Sequence, residues 1–180
     1  RRVWARCGDP GAEAALAEAL VLAEPTAALQ RLAPVRAARA ELAWLEGRHE
    51  DVGDEAACAI GLALAHDHQW HIGELSYWTH LVGGVTPGLE IAARPFALEI
   101  AGDWQLAASA WEHIGCPYEQ ARALSFGDVI AQKNALEIFD ALGEGFHFLG
   151  ATTTKNIENS FGFTRSHLRH IAKQAERPAG

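Results

Sequence analysis

The densest set of residues able to bind a ligand in this chain is His66-Asp67-His68-Gln69-Trp70-His71. On a helical turn His68 and His71 would meet, with Asp67 four residues before His71, a spacing at which imidazole and carboxylate can share zinc or nickel. The segment reads instead as a loop between two helices, and no surrounding pattern of carboxylates would orient the imidazoles. No metal site is therefore assigned, and nickel uptake there would be adventitious. His113 and Cys116 lie three apart, near Glu112 and Glu119, and have the residue types of a base and a nucleophile. Gly115 and Pro117 give a simpler account, a turn at which two helix ends face each other. His49-Glu50-Asp51 lacks the second histidine of a His-Glu-x-x-His helix and reads as a solvated loop. The sequence has no Gly-x-x-x-x-Gly-Lys-Ser/Thr, Gly-x-Gly-x-x-Gly or Gly-x-Ser-x-Gly motif. No catalytic or cofactor-binding residue is assigned, no cofactor is expected, and the chain reads as a non-enzyme.

The elements that would carry these residues are helices. The chain has 180 residues, 49% hydrophobic and 21% charged, enough for one domain with a real core. Alanine, the strongest helix former, is abundant, and no alternating run suggests a strand. Apolar spacing suggests eight helices. The first covers about 11–23, with Asp9 as N-cap and Pro10 at the first position. Thr26 can cap a second bearing Leu29 and Leu32, with Pro34 at a boundary or kink before a stripe of Ala38, Leu42 and Leu45 that Gly47 stops. A helix over about 54–65 should turn Ala57, Cys58, Ile60, Gly61 and Leu64 inward. Ile72, Leu75, Trp78, Thr79 and Leu81 mark another, closed by Gly83-Gly84. Segments 89–101, 103–114 and 117–126 complete three more, and Asp128 caps a last one with Ile130, Ala131, Ala135, Ile138, Phe139 and Leu142 on one side. Trp44, Trp78 and Trp111 are assigned to the core; Trp70, beside the histidines, reads either as an exposed contact residue or as a partly buried loop anchor.

Charge divides the chain. Residues 1–143 carry 10 Lys/Arg against 20 Asp/Glu, a net of −10, and 144–180 carry 5 against 3, a net of +2. An acidic body argues against wrapping a phosphate backbone, so this segment is not expected to bind nucleic acid. No run reaches the length of a membrane span, and no signal peptide is visible. Cys7, Cys58 and Cys116 are odd in number and far apart, which suggests buried free thiols in a reducing cytoplasm. The chain opens Arg1-Arg2-Val3 and contains no methionine, so it is expected to be a piece of a longer protein.

Gly-Asp pairs at 8–9, 53–54, 102–103 and 127–128 read as punctuation between helices, each joining a residue able to adopt positive φ to one able to cap. Residues 102–124 show the unit most clearly. Trp104, Ala107, Ala108, Trp111 and Ile114 share one helix face, and Tyr118, Ala121 and Leu124 continue the stripe beyond Gly115-Cys116-Pro117. Paired helices with small residues at their crossings suggest an all-α fold: a right-handed stack of antiparallel helix pairs, tetratricopeptide-like, over residues 1–143.

The blocks Arg36-Ala-Ala-Arg-Ala-Glu-Leu-Ala-Trp-Leu-Glu-Gly47, Gly73-Glu-Leu-Ser-Tyr-Trp78, Gly102-Asp-Trp…Gly115-Cys-Pro-Tyr-Glu119 and Ala135-Leu-Glu-Ile-Phe-Asp-Ala-Leu-Gly143 carry a resemblance. Together they resemble the helical-repeat segment of large ATP-binding LuxR-type transcriptional regulators. The resemblance implies a regulatory or protein-interaction module of a multidomain cytoplasmic regulator, flanked in the parent by an ATPase and a helix-turn-helix domain. It leaves open a small-ligand sensor detecting an inducer, in a pocket lined by Trp78, Trp104 or Tyr118. A free-standing hydrolase is the third reading. Residues 144–180 depart from the pattern and read as a basic connector. Within them 162–169 resembles the recognition-helix region of AraC-type domains, without the second helix such a reader needs.

Overall fold

The structure, a computed structural model, describes Arg6 and residues 9–142. The expected connector 144–180, its segment 162–169, Cys7 and Gly8 lie outside the described residues. Among the described residues there are eight α-helices and no strand: α1 (Ala12–Ala23), α2 (Leu29–Leu45), α3 (His49–Ala65), α4 (Gln69–Leu81), α5 (Arg94–Ile100), α6 (Trp104–Ile114), α7 (Pro117–Ser125) and α8 (Val129–Leu142). Single 3-10 turns at Glu24–Thr26 and Leu89–Ile91 precede α2 and α5. Each helix packs chiefly on its sequence neighbours, and α2 also reaches α4. No described helix is long and apolar enough to cross a membrane.

Starts and stops follow local chemistry. Asp9 accepts a hydrogen bond from Gly11 N–H at 2.7 Å just before α1, and Asp128 accepts from Ala131 N–H at 2.9 Å at the start of α8. Gly102 and Gly115 end their helices with φ of +82° and +80°, a region that penalises any side chain. The Gly-Asp punctuation holds only in part. At 102–103 the glycine turns but Asp103 makes no side-chain cap, and at 127–128 the aspartate caps although Gly127 is not among the described glycines of positive φ. Gly53 and Asp54 lie inside α3.

Several boundaries differ from the sequence reading. Pro34 neither ends nor divides a helix, because α2 runs through it. The missing Pro34 N–H would have met the carbonyl of Gln30, an exposed residue whose carbonyl can turn to water, while Leu29, Ala33, Ala37 and Ala40 form one unbroken buried face. His49-Glu50-Asp51 is the first turn of α3 rather than a loop, with two acidic residues where the helix dipole favours them. The longer helix also has a different phase. Val52, Ala56, Ala59 and Ala63 point inward, whereas Ala57, Cys58 and Gly61 are exposed. Cys58 is thus an exposed free thiol, not a buried one, and Cys116 is half-buried. On α8 the inward face is Ala131, Ala135 and Phe139, while Ile130 and Leu142 face out.

The core takes Trp44, Trp78 and Trp111, each nearly fully buried, as the sequence predicts. Alanines line the α2–α3 seam and let the two backbones approach closely. Towards α4–α7 the filling becomes aromatic, with Phe96 edge-on to Trp111 at 4.9 Å and Tyr77 edge-on to Trp78 at 5.2 Å.

Candidate interaction surface around α6

Trp70 sits in the first turn of α4, where His68 fixes the helix start. The His68 Nδ1 atom accepts the His71 backbone N–H at 3.3 Å, and the two imidazole rings stack at 4.2 Å. Residues 66–71 are therefore not one loop. Asp67 takes a left-handed φ of +47°, His68 caps, and Gln69 opens the helix. Stacked rings, one of them occupied by a backbone N–H, do not converge on a common point. The described residues contain no group of three or more His, Cys, Asp or Glu placed to hold a metal.

The capped start holds Trp70 against two rings of the core. Its indole meets Phe96 at 6.3 Å and Trp111 at 6.1 Å, and the residue remains 45% exposed. Leu106 and Ile114 on α6 are 53% and 47% exposed, and both share with Trp70 an open groove of about 490 Å³. Three large apolar side chains around one groove form the kind of patch that marks an interaction site. Arg94 and His113 complete its polar edge.

Ser109 of α6 also lines a second open groove, of about 570 Å³, on the side of α7 and α8. Its polar groups are Gln105, Glu112, Gln120, Asn134 and Glu137, over Leu124, Ile138 and Leu142. The exposed face of α6 is a ridge with an aromatic groove on one side and an acidic, amide-rich groove on the other.

Beneath this surface lies a polar core that sequence reasoning missed. Arg122, on α7, is 2% exposed and donates from one guanidinium nitrogen to both carboxylate oxygens of Glu99 on α5, at 3.1 and 2.9 Å. The same carboxylate accepts the Trp111 indole N–H at 2.6 Å. The Arg122 Cζ lies 4.1 Å from the Tyr77 ring centroid, with Trp78, Phe96 and Trp111 a further shell of rings around it. Burial opposes the arginine's charge, but Glu99, Tyr77 and Glu119 together outweigh it and hold its pKa above the ordinary value. Burial raises the Glu99 carboxyl, and Arg122 only partly offsets that. Arg6 forms a second such cluster. It donates to Glu41 of α2 at 2.8 Å and Glu119 of α7 at 3.2 Å, with its Cζ 3.5 Å from the Tyr118 ring centroid. The available signal was position: Arg122 falls between Tyr118 and Ser125 on a buried stripe, and Glu41 falls within a run of buried alanines and leucine.

His113 and Cys116 are divided between environments. His113 lines the Trp70 groove, while Cys116 stands at the half-buried entry to α7. Burial and Glu119 push the Cys116 thiol up, more than Arg6 lowers it, which disfavours the thiolate a nucleophile needs. Trp78 and Tyr118 are buried, and Trp104, of the three residues named for a sensor pocket, lines a partly open cavity of about 260 Å³. No protein-family model, curated protein or solved structure matches this chain.

Proposed function

We propose that this chain is a non-catalytic protein-interaction module that grips its partner across the α6 ridge. The carrying observation is the cluster of half-exposed Trp70, Leu106 and Ile114 around one groove. An aromatic anchor site of this kind suits an apolar side chain of a partner, since interface energy concentrates in a few such anchors. Glu112 and Glu137 across the ridge favour flanking Lys or Arg, so the partner is a basic amphipathic segment. The chain order of short helices, each packed on its neighbours, supports reading the body as a stack of antiparallel helix pairs. With the resemblance of its sequence blocks, this supports a module of a multidomain LuxR-type regulator, in which ATPase and DNA-binding work belong to flanking domains. The net −10 of residues 1–143 supports a module that does not itself hold nucleic acid.

Selection from a random peptide display library tests the reading. Enriched peptides should pair an aromatic or aliphatic anchor with Lys or Arg three or four residues away. Their binding should weaken at least roughly tenfold in Trp70→Ala and in Leu106→Ser, the scale of a lost anchor. Enrichment of acidic peptides, or binding indifferent to both substitutions, would overturn it. The small-ligand sensor is a second reading, favoured by the partly open, mostly apolar cavity that Trp104 lines.

A further inference from the structure

Arg6 precedes α1, yet the carboxylates that hold its side chain lie 35 and 113 residues further along the chain. Glu41, within α2, is 1% exposed and accepts from two guanidinium nitrogens, Nε to Oε1 at 2.8 Å and Nη2 to Oε2 at 3.3 Å. Glu119, in the first turn of α7, accepts Nη2 at 3.2 Å, and the Arg6 Cζ lies over the Tyr118 ring at 3.5 Å. The guanidinium is thus paired along one edge by a two-oxygen fork, flanked by a second carboxylate and covered by a ring.

The walls of this socket belong to helices held by other contacts. The α2 helix packs on α3, α7 packs on α6 and α8, and Tyr118 meets Phe139 of α8 edge-on at 5.4 Å. Glu119 stays 20% exposed, so its side of the socket meets solvent. Two carboxylates, one of them buried, demand a cation. Burial opposes the charge of the guanidinium they hold, and Glu41, Tyr118 and Glu119 outweigh it. The geometry also selects among cations. A guanidinium can pair with both Glu41 oxygens while its flat face lies on the ring, whereas a compact ammonium has neither the fork nor the face. We propose that Glu41, Tyr118 and Glu119 form a recognition site for an arginine side chain, which Arg6 fills from within the chain and an arginine of a partner fills when Arg6 is withdrawn.

The site does not rest on partner binding at the α6 ridge, since Glu41, Tyr118 and Glu119 line neither groove, and the two can fail separately. The full ¹⁵N-labelled chain carrying Arg6→Ala tests it with ethylguanidinium, the part of the side chain that the substitution removes, and with propylammonium, the equivalent part of lysine. Followed at Glu41, Tyr118 and Glu119, ethylguanidinium should bind saturably and at least roughly tenfold more tightly than propylammonium. A blocked Gly-Arg-Gly peptide should displace it, and Gly-Lys-Gly should not. The wild-type chain, its socket filled, should show no saturable shift at these residues. Glu119→Gln or Tyr118→Leu, added to Arg6→Ala, should weaken binding at least roughly fivefold. If Arg6→Ala does not fold alone, recovery of its helical dichroism with ethylguanidinium and not with propylammonium is the supporting result. Equal effects of the two cations, equal binding to the wild-type chain, a Gly-Arg-Gly peptide that does not compete, binding unchanged in both double variants, or neither binding nor recovery in the tens-of-millimolar range would each overturn it.

Discussion

Glu55 on α3 and Glu99 on α5 are both arginine-paired carboxylates, yet they belong to two different kinds of seam. At the α2–α3 seam alanines make the contact, and Glu55 bridges Arg36 at 2.8 Å and Arg39 at 2.6 Å near the rim. Burial raises its carboxyl, but hydrogen bonds and charge from Arg39 and Arg36 prevail and hold it below the ordinary value. At the α4–α7 seam large rings make the contact, and Glu99 is enclosed with Arg122 among them. There burial prevails, and the carboxyl stands above the ordinary value. The first seam gains cohesion from close backbone approach and leaves its charges near water. The second places charge in the centre, where a partner lost is costly.

The largest effect that would expose this difference is at Arg122. Arg122→Ala strands Glu99 in an apolar surround and should cost about 3–5 kcal/mol in urea unfolding, whereas Arg122→Met with Glu99→Leu should recover most of it. A loss below about 1 kcal/mol for the single change would mean the pair is solvated like a surface bridge. Glycines sharpen the contrast at smaller scale. A Cβ on Gly73 of α4 would lie 2.7 Å from Phe96 Cδ2, so Gly73→Ala should destabilise by about 1–3 kcal/mol, read as a lowered urea midpoint.

The pH dependence of the two carboxylates should run in opposite senses. Glu55, held below its unfolded value, contributes stability that is present above the ordinary carboxylate range and lost as pH falls through its folded value. The deficit of Glu55→Gln, about 1 kcal/mol at neutral pH, should therefore shrink on acidification. Glu99 is raised, so its contribution is largest below its unfolded value and declines as pH rises, and the deficit of Glu99→Gln should shrink in that direction. Parallel pH profiles for the two variants would collapse the distinction. The smallest effect belongs to the alanine seam's outer face. Nothing lies within 4 Å of a Cβ on Gly61, so Gly61→Ala should stabilise α3 by about 0.5–1 kcal/mol, visible as a higher thermal midpoint.

The same two regions show what the sequence could convey. From residues 102 to 125 large and small side chains alternate at helical spacing, and α6, its Gly115 stop, α7 and the burial of Trp111 were all legible. On α3 the run Ala-Ala-Cys-Ala-Ile-Gly-Leu-Ala-Leu-Ala is apolar on every side, so its composition cannot fix a phase. Packing fixes it, through Val52 in a first turn whose sequence reads as loop and through Glu55 facing α2. For Trp70 the sequence offers both an exposed contact and a partly buried anchor, and the residue is half-exposed against Phe96 and Trp111; its companions Leu106 and Ile114 are not legible, because helical spacing puts Ile114 on the buried stripe. Arg122 and Glu99 escaped because each reads as an ordinary solvated charge until the tertiary fold brings α5 and α7 together.

Chemical-shift mapping tests most directly whether the α6 ridge grips a basic amphipathic partner. A helical peptide with one Trp anchor and Lys at the third and fourth positions on either side is titrated into the ¹⁵N-labelled chain. Shifts should concentrate at Trp70, Leu106, Ser109 and Ile114, extend to Glu112, and diminish with added salt as charge pairing is screened. Shifts confined to exposed apolar residues elsewhere, such as Val21, Leu22 or Val85, or none at millimolar peptide, would contradict it.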